Sequence, residues 1–92
     1  MTVHPDFESR VIATIRDIPP GEVMSYGEVA MEAGFPGAAR AVGTLLRRTD
    51  ETLPWWRVVG AGDRITSPHP DRQARLLSEE GWVQVGATLR RA

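Results

Sequence analysis

Ser25-Tyr26-Gly27-Glu28-Val29-Ala30, then Phe35-Pro36-Gly37, then Ala38-Ala39-Arg40-Ala41-Val42-Gly43-Thr44-Leu45-Leu46-Arg47-Arg48: the reading of this chain turns on these residues. Ser25 and Glu28 stand at the spacing at which a hydroxyl and a carboxylate satisfy the first free amides of a helix reciprocally. The short helix they open runs to about Ala33, and Gly34 is placed to terminate it. Phe35-Pro36-Gly37 reads as a tight turn, and a second helix spans about Ala38 to Arg48. Two short helices joined by a turn rich in Gly and Pro have the outline of a helix-turn-helix. At about 100° per residue, Ala38, Val42, Leu45 and Leu46 fall on one side of the second helix, and Arg40, Gly43, Thr44 and Arg47 on the other. The first side is ready for a core. The second is small and basic and carries no acid, whereas a plain solvated face mixes both signs, so the pattern favours a face for nucleic acid.

Upstream, Phe7, Val11, Ile15 and Ile18 recur at helical spacing over Asp6 to Ile18, with Pro5 suited to the first helical position. Pro19-Pro20-Gly21 stops that helix, and Val23-Met24 reads as a short extended piece. Downstream, Leu53-Pro54 leads into Trp55-Trp56-Arg57-Val58-Val59, an apolar run expected at the centre of the fold. Gly60-Ala61-Gly62-Asp63 has the chemistry of a turn and Ile65 returns the chain, which predicts a hairpin. Pro70 can open a last helix over Asp71 to Glu80, with Ala74 and Leu77 inward and Gly81 ending it. Trp82-Val83-Gln84-Val85 alternates weakly, as a final strand would. The expected fold class is α+β: a small winged-helix domain with a helix-turn-helix and a short hairpin wing. No repeat or linker divides the sequence, so residues 1–92 are expected to form one domain.

Composition narrows the function. The chain has 92 residues, 41% of them hydrophobic and 25% charged, as in ordinary globular proteins. No apolar run approaches the roughly 20 residues of a membrane helix, and the polar N-terminus has no secretory pattern, so the expected compartment is the cytoplasm. A net charge of −1 argues against non-specific coating of nucleic acid, yet all 11 basic residues are arginine. Arginine suits bidentate phosphate and base contacts, although the codon usage of a GC-rich genome gives the same bias. Placement therefore weighs more than number. The absence of cysteine excludes disulfides, thiolate metal sites and any Cys nucleophile. With only two histidines besides, no metal and no cofactor are expected.

Ile18-Pro19-Pro20-Gly21-Glu22-Val23 with Ser25 to Ala30, Ala38 to Gly43, Pro54-Trp55-Trp56-Arg57-Val58-Val59, and Leu76-Leu77-Ser78-Glu79-Glu80-Gly81 stand in one collinear order. Together they resemble the DNA-binding domain of the O6-alkylguanine-DNA alkyltransferases, from about Phe7 to Val85. That family carries Pro-Cys-His-Arg-Val where this chain has Pro54 to Val58. Its Cys, activated through water by the His, which a Glu orients, takes the alkyl group from guanine and is consumed. Here the resemblance puts Trp55 at the Cys position and Trp56 at the His position. An indole is neither a useful nucleophile nor a proton acceptor. Glu80 falls at the position of the orienting Glu, with nothing left to orient. A Trp for the Cys marks the alkyltransferase-like proteins, which bind alkylated guanine without repairing it. Their usual run is Pro-Trp-His-Arg, from which Trp56 departs at a position that shapes the pocket floor.

The resemblance implies residue roles. Arg40 is the finger that fills the gap left by a flipped base, and Tyr26 sits at the pocket edge; the basic face of the second helix, read from its own pattern, adds Thr44 and Arg47 to the DNA-binding set, Arg47 as a phosphate contact. Leu46 is a pocket wall, Trp55 lines the pocket with Trp56 behind it, and Val58 offers backbone polar groups to the base edge. Arg57 is structural, and the loop Thr66 to His69 covers the pocket. The implied partner is double-stranded DNA containing O6-alkylguanine, entered from the minor groove by a monomer, with nucleotide excision repair proteins taking over the lesion. A winged-helix transcription regulator that reads undamaged DNA is the alternative from another class; such proteins usually dimerise, and no extra helix for that is evident.

Overall fold

Phe7, Val11 and Ile15 give the first element its buried stripe, and the computed structural model, which describes residues 6–92, carries it as α1 (Phe7–Arg16). Pro5, expected at the first helical position, lies outside the described residues. The helix stops before Ile18 because Pro19 disfavours helical backbone in the residue before it. Then follow β1 (Met24–Ser25), α2 (Tyr26–Glu32), α3 (Ala39–Arg48), a 3-10 turn at Trp55–Arg57, β2 (Val58–Val59), α4 (Pro70–Ser78), β3 (Trp82–Val85) and β4 (Thr88–Arg91). The result is a mixed fold of helices and two small sheets. Among the described residues, no helix is long and apolar enough to cross a membrane.

The capping box at α2 forms as expected. The Glu28 backbone amide donates to Ser25 Oγ at 3.0 Å, and the Ser25 amide donates to Glu28 Oε1 at 2.8 Å. Gly34 follows the helix with φ +96°, a conformation that only glycine adopts without strain. Tyr26 is thereby fixed as the first residue of α2, one position past the cap.

β2 is two residues long and organises both halves of the molecule. It pairs in parallel with β1, Met24 opposite Val58 and Ser25 opposite Val59. Strand side chains alternate, so the two valines point into different cores. Val58 joins Phe7, Val11, Ile15, Val29 and Val42 under α1, α2 and α3. Val59 joins Ile65, Leu77, Trp82 and Leu89 under α4 and the C-terminal hairpin. The apolar run thus lies at the centre, as its composition predicts.

Two expectations change: the hairpin after β2, and Trp82–Val85 as the final strand, since β4 follows it. Across Gly60–Asp63 the chain does turn, but the predicted hairpin is reduced to one antiparallel bridge between Gly60 and Arg64. Past the turn the chain is captured elsewhere: Arg64 bridges Thr88, Leu89 N donates to Asp63 O, and Ile65 N donates to Ala87 O. The regular hairpin is β3–β4, in register from Trp82 opposite Arg91 to Val85 opposite Thr88. Its two-residue loop has Gly86 at φ +63°, a conformation suited to the first position of a tight hairpin turn.

Removing the cap isolates this local term. Ser25→Ala should cost about 1 kcal/mol, lowering the thermal midpoint by roughly 4–8 °C for a domain of this size. A calorimetric midpoint unchanged from the parent would show that tertiary packing alone holds the start of α2.

Candidate nucleic-acid interface

α3 presents the expected split in part, because Gly43 and Thr44, expected on the outer face, are half-buried. Val42 is fully buried, Leu45 and Leu46 are half-buried, and Arg40 and Arg47 are exposed. Thr44 Oγ1 donates to the Arg40 carbonyl at 3.1 Å, so its hydroxyl proton is engaged within the helix. The Tyr26 ring lies against Gly43, with Cε1 3.8 Å from where a methyl group on that glycine would sit. A small residue here lets α2 bring its aromatic ring close to α3.

The structure gathers four of the predicted residues around one cavity of about 430 Å³, a volume suited to a small-molecule ligand. Tyr26 comes from α2, Leu46 and Arg47 from α3, and Trp55 from the 3-10 turn. Ser67, Pro68 and His69 close one side, where a covering loop was expected, and Arg72 of α4 completes the rim. Trp55 stands edge-on to His69, ring centroids 6.2 Å apart, and edge-on to Trp56 at 6.1 Å. Arg40 and Thr44 do not reach this cavity. They line a separate open hollow of about 490 Å³ with Phe7, Glu8, Leu45 and Arg48. Val58 stands behind the site: it is 1% exposed, and its carbonyl accepts Gln73 Nε2 at 2.9 Å.

What fixes Trp55 is the segment that follows it. Trp56 Nε1 donates to Glu80 Oε2 at 2.9 Å. Arg57 grips the same carboxylate with Nε at 3.0 Å and Nη2 at 2.8 Å, while its Nη1 donates to the Ile18 carbonyl. The Gly21 amide donates to Glu80 Oε1 at 3.0 Å. The Arg57 guanidinium also lies 5.2 Å from the centre of the Trp56 ring, in cation–π range. Glu80 was expected to have nothing to orient; the geometry corrects this. The indole of Trp56 is a donor, and it occupies the carboxylate together with Arg57. Arg57 is structural, as expected.

Gln73 was missed. It is fully buried, and its Nε2 donates to the carbonyls of both Trp56 and Val58. It sits four residues before Leu77, on the inward face of α4, where its polar side chain breaks the apolar periodicity that marks that face. Arg72 was missed as well, since only its place beside the cavity singles it out.

Residues 6–82 match the family described as 6-O-methylguanine DNA methyltransferase, DNA binding domain. The chain belongs to this family. A protein of Escherichia coli K12 named DNA base-flipping protein is 45% identical over an alignment of 85 residues, with 88% of this chain and 66% of that protein covered. A protein of the same name from Vibrio parahaemolyticus is 42% identical over 79 residues, 82% of this chain and 79% of that one. Among solved structures, S. pombe Atl1 in complex with damaged DNA containing O6-carboxymethylguanine superposes with a TM-score of 0.80 at 28% identity, covering 98% of this chain and 91% of the other. The M. tuberculosis O6-methylguanine methyltransferase superposes at 0.72 with 39% identity, over 85% of this chain and 50% of its own. This chain therefore spans about half of that methyltransferase and just under two thirds of the E. coli relative. Unlike a methyltransferase that works through a thiolate, this member has no cysteine to accept an alkyl group.

The donors around Glu80, Arg57 foremost, hold its carboxyl well below the ordinary carboxylate range, at about 2, although burial opposes them. A carboxyl depressed in the folded state stabilises the fold above its unfolded pKa, and that stability is lost as pH falls through the folded value. The loss should therefore begin near pH 5 and run toward pH 2, amounting to about 3 kcal/mol from this group. Urea unfolding at successive pH values measures it, with Glu80→Gln as the reference. The variant should be less stable at pH 7, and the difference should shrink with acid. Parallel stability curves for the two proteins across that range would rule out the hub.

Proposed function

We propose that this protein recognises O6-alkylguanine in duplex DNA by extruding the damaged base into the cavity lined by Tyr26, Leu46 and Trp55. It holds the base there without removing the alkyl group, which leaves the lesion marked for nucleotide excision repair. The observation that carries this reading is the aromatic cavity placed directly beside α3 in a chain without cysteine. Relatives named DNA base-flipping protein, and a similar fold seen bound to damaged DNA, support it.

In this reading α2 and α3 act as the helix-turn-helix of a winged-helix module, with α3 entering the minor groove and the turn after β2 as the wing. The chain, residues 1–92, works as a single monomeric domain. Extrusion costs a few kcal/mol in lost stacking and pairing, less where alkylation has already weakened the pair. Three terms offset that cost. Arg40, exposed near the start of α3, fills the vacated gap and hydrogen-bonds the orphaned partner. Trp55 and Tyr26 receive the extruded base, and base–aromatic stacking is worth ~1–3 kcal/mol per base. Arg47 and Thr44 contact the backbone. Val58 acts from behind, as support for the segment that presents Trp55.

Two duplexes differing only in one O6-alkylguanine test the reading. The protein should bind the damaged duplex more tightly, and its mass should be unchanged after prolonged incubation. Equal affinities would favour a regulator of undamaged DNA, and a mass gain equal to the alkyl group would establish transfer. Arg40→Ala and Trp55→Ala should erode the preference for damage more than they erode binding overall. Arg47→Ala should weaken both complexes about equally and reduce the salt dependence by about one ion. An Arg40→Ala protein that discriminates as well as the parent would remove the finger from the account.

A further inference from the structure

The cavity has a charge character that extrusion of a neutral base does not require. Arg47 of α3 and Arg72 of α4 stand on its rim, both exposed, and His69 stands between the covering loop and α4. Among the described residues, the lining contains no Asp or Glu. Among the described residues neither arginine has an ion-pair partner, in contrast to Arg57, which is paired with Glu80, and Arg16, which is paired with Glu51. The nearest acid in sequence is Asp71, which is exposed in the first turn of α4 and does not line the cavity. The walls, by contrast, are apolar: Trp55, Leu46 and Pro68. Such a cavity holds a base against its walls and offers two free guanidinium groups at its mouth.

The geometry points to O6 substituents that end in a carboxylate as the preferred lesion class, with Arg72 as the residue that confers the preference. This rests on the base-extrusion reading above. A guanidinium offers a planar fork that matches a carboxylate with two parallel hydrogen bonds, and such charge-assisted bonds are stronger than neutral ones. A carboxylate on the O6 of a stacked guanine lies in the major groove of its own duplex, where the negative potential of the phosphates opposes it. Moving it to this rim replaces repulsion by attraction. Arg72 is the better candidate of the two, because Arg47 sits on the helix that faces the phosphates. Arg72 comes from a different element, α4. Carboxymethyl is the smallest substituent of this kind.

The test uses the full chain and three duplexes identical except at one position: O6-carboxymethylguanine, its neutral isostere O6-carbamoylmethylguanine, and guanine. The acid and the amide have nearly the same size and shape, so their affinity ratio reads charge alone. The acid should bind about tenfold tighter than the amide, the effect expected of one charge-assisted contact. In Arg72→Gln that ratio should fall toward one, and in Arg72→Lys it should recover in part. Arg72 is exposed, so a matching thermal midpoint confirms that each variant is folded. Equal binding of acid and amide, both tighter than guanine, would overturn the charge preference while leaving lesion recognition intact. Equal binding of all three would instead overturn lesion recognition. If Arg72→Gln weakened all three complexes by the same factor, Arg72 would be a phosphate contact and its assignment here would be wrong.

Discussion

One carboxylate holds the site in place. Glu80 lies just past α4, and its two oxygens accept hydrogen bonds from Trp56, Arg57 and the amide of Gly21. A mostly buried carboxylate is tolerated only when donors replace the water it has lost. Here they come from the loop after α1 and from the central segment, so one charged group ties the end of the chain's last helix to both. Trp82 adds a second tie, its Nε1 donating to the Gly21 carbonyl at 3.2 Å. The consequence for function is positional. Trp56 and Arg57 are locked, and Trp55, the residue immediately before them, has little freedom to leave the cavity wall.

The same segment continues into β2, where Val58 and Val59 are shared between the two cores. A distortion of the Trp55–Val59 stretch is therefore opposed from both sides, by packing under α1 to α3 and by packing under α4 and the hairpin. Gln73 reinforces the arrangement by donating to carbonyls on either side of Arg57. Among the described residues its buried Oε1 has no partner, so the amide is spent on its two donor bonds. In the proposed role, in which the protein discriminates rather than reacts, a rigid platform matters. Stacking and shape report on a base only if the surface that receives it does not yield.

What the sequence reveals follows the range of the forces involved. The capping box, the turn before α3 and the two faces of α3 depend on neighbours within a few residues, and they were legible in residue types and spacing. The collinear motifs then placed Tyr26, Leu46 and Trp55 together, and the cavity contains all three. Long-range pairing was not legible. The bond from Gly21 to Glu80 joins residues 59 apart, and no local pattern announces it. The Gly60–Asp63 turn was recognised, but not that the strand beyond it prefers β4, because Thr88-Leu89-Arg90-Arg91 offers a single apolar residue as its signal. Trp56 was read through what it lacks as a base. The structure shows what it has, an N–H that reaches Glu80. Arg72 and Gln73 are adjacent in sequence and serve opposite surfaces, one the rim of the cavity and the other the interior.

On the proposed reading these elements act together: a small helix face to meet DNA, an aromatic cavity beside it, and a carboxylate hub that steadies the cavity wall. The central claim is that the alkylated base leaves the duplex and comes to rest against Trp55. The most direct measurement labels the alkyl group itself, using a duplex with one O6-(2-fluoroethyl)guanine and fluorine NMR of its complex with the protein. With the base against Trp55, the bound resonance should be displaced from that of the free duplex and show magnetisation transfer to the ring protons of Trp55. A bound resonance that shows transfer only to neighbouring bases would place the lesion still inside the helix and contradict it.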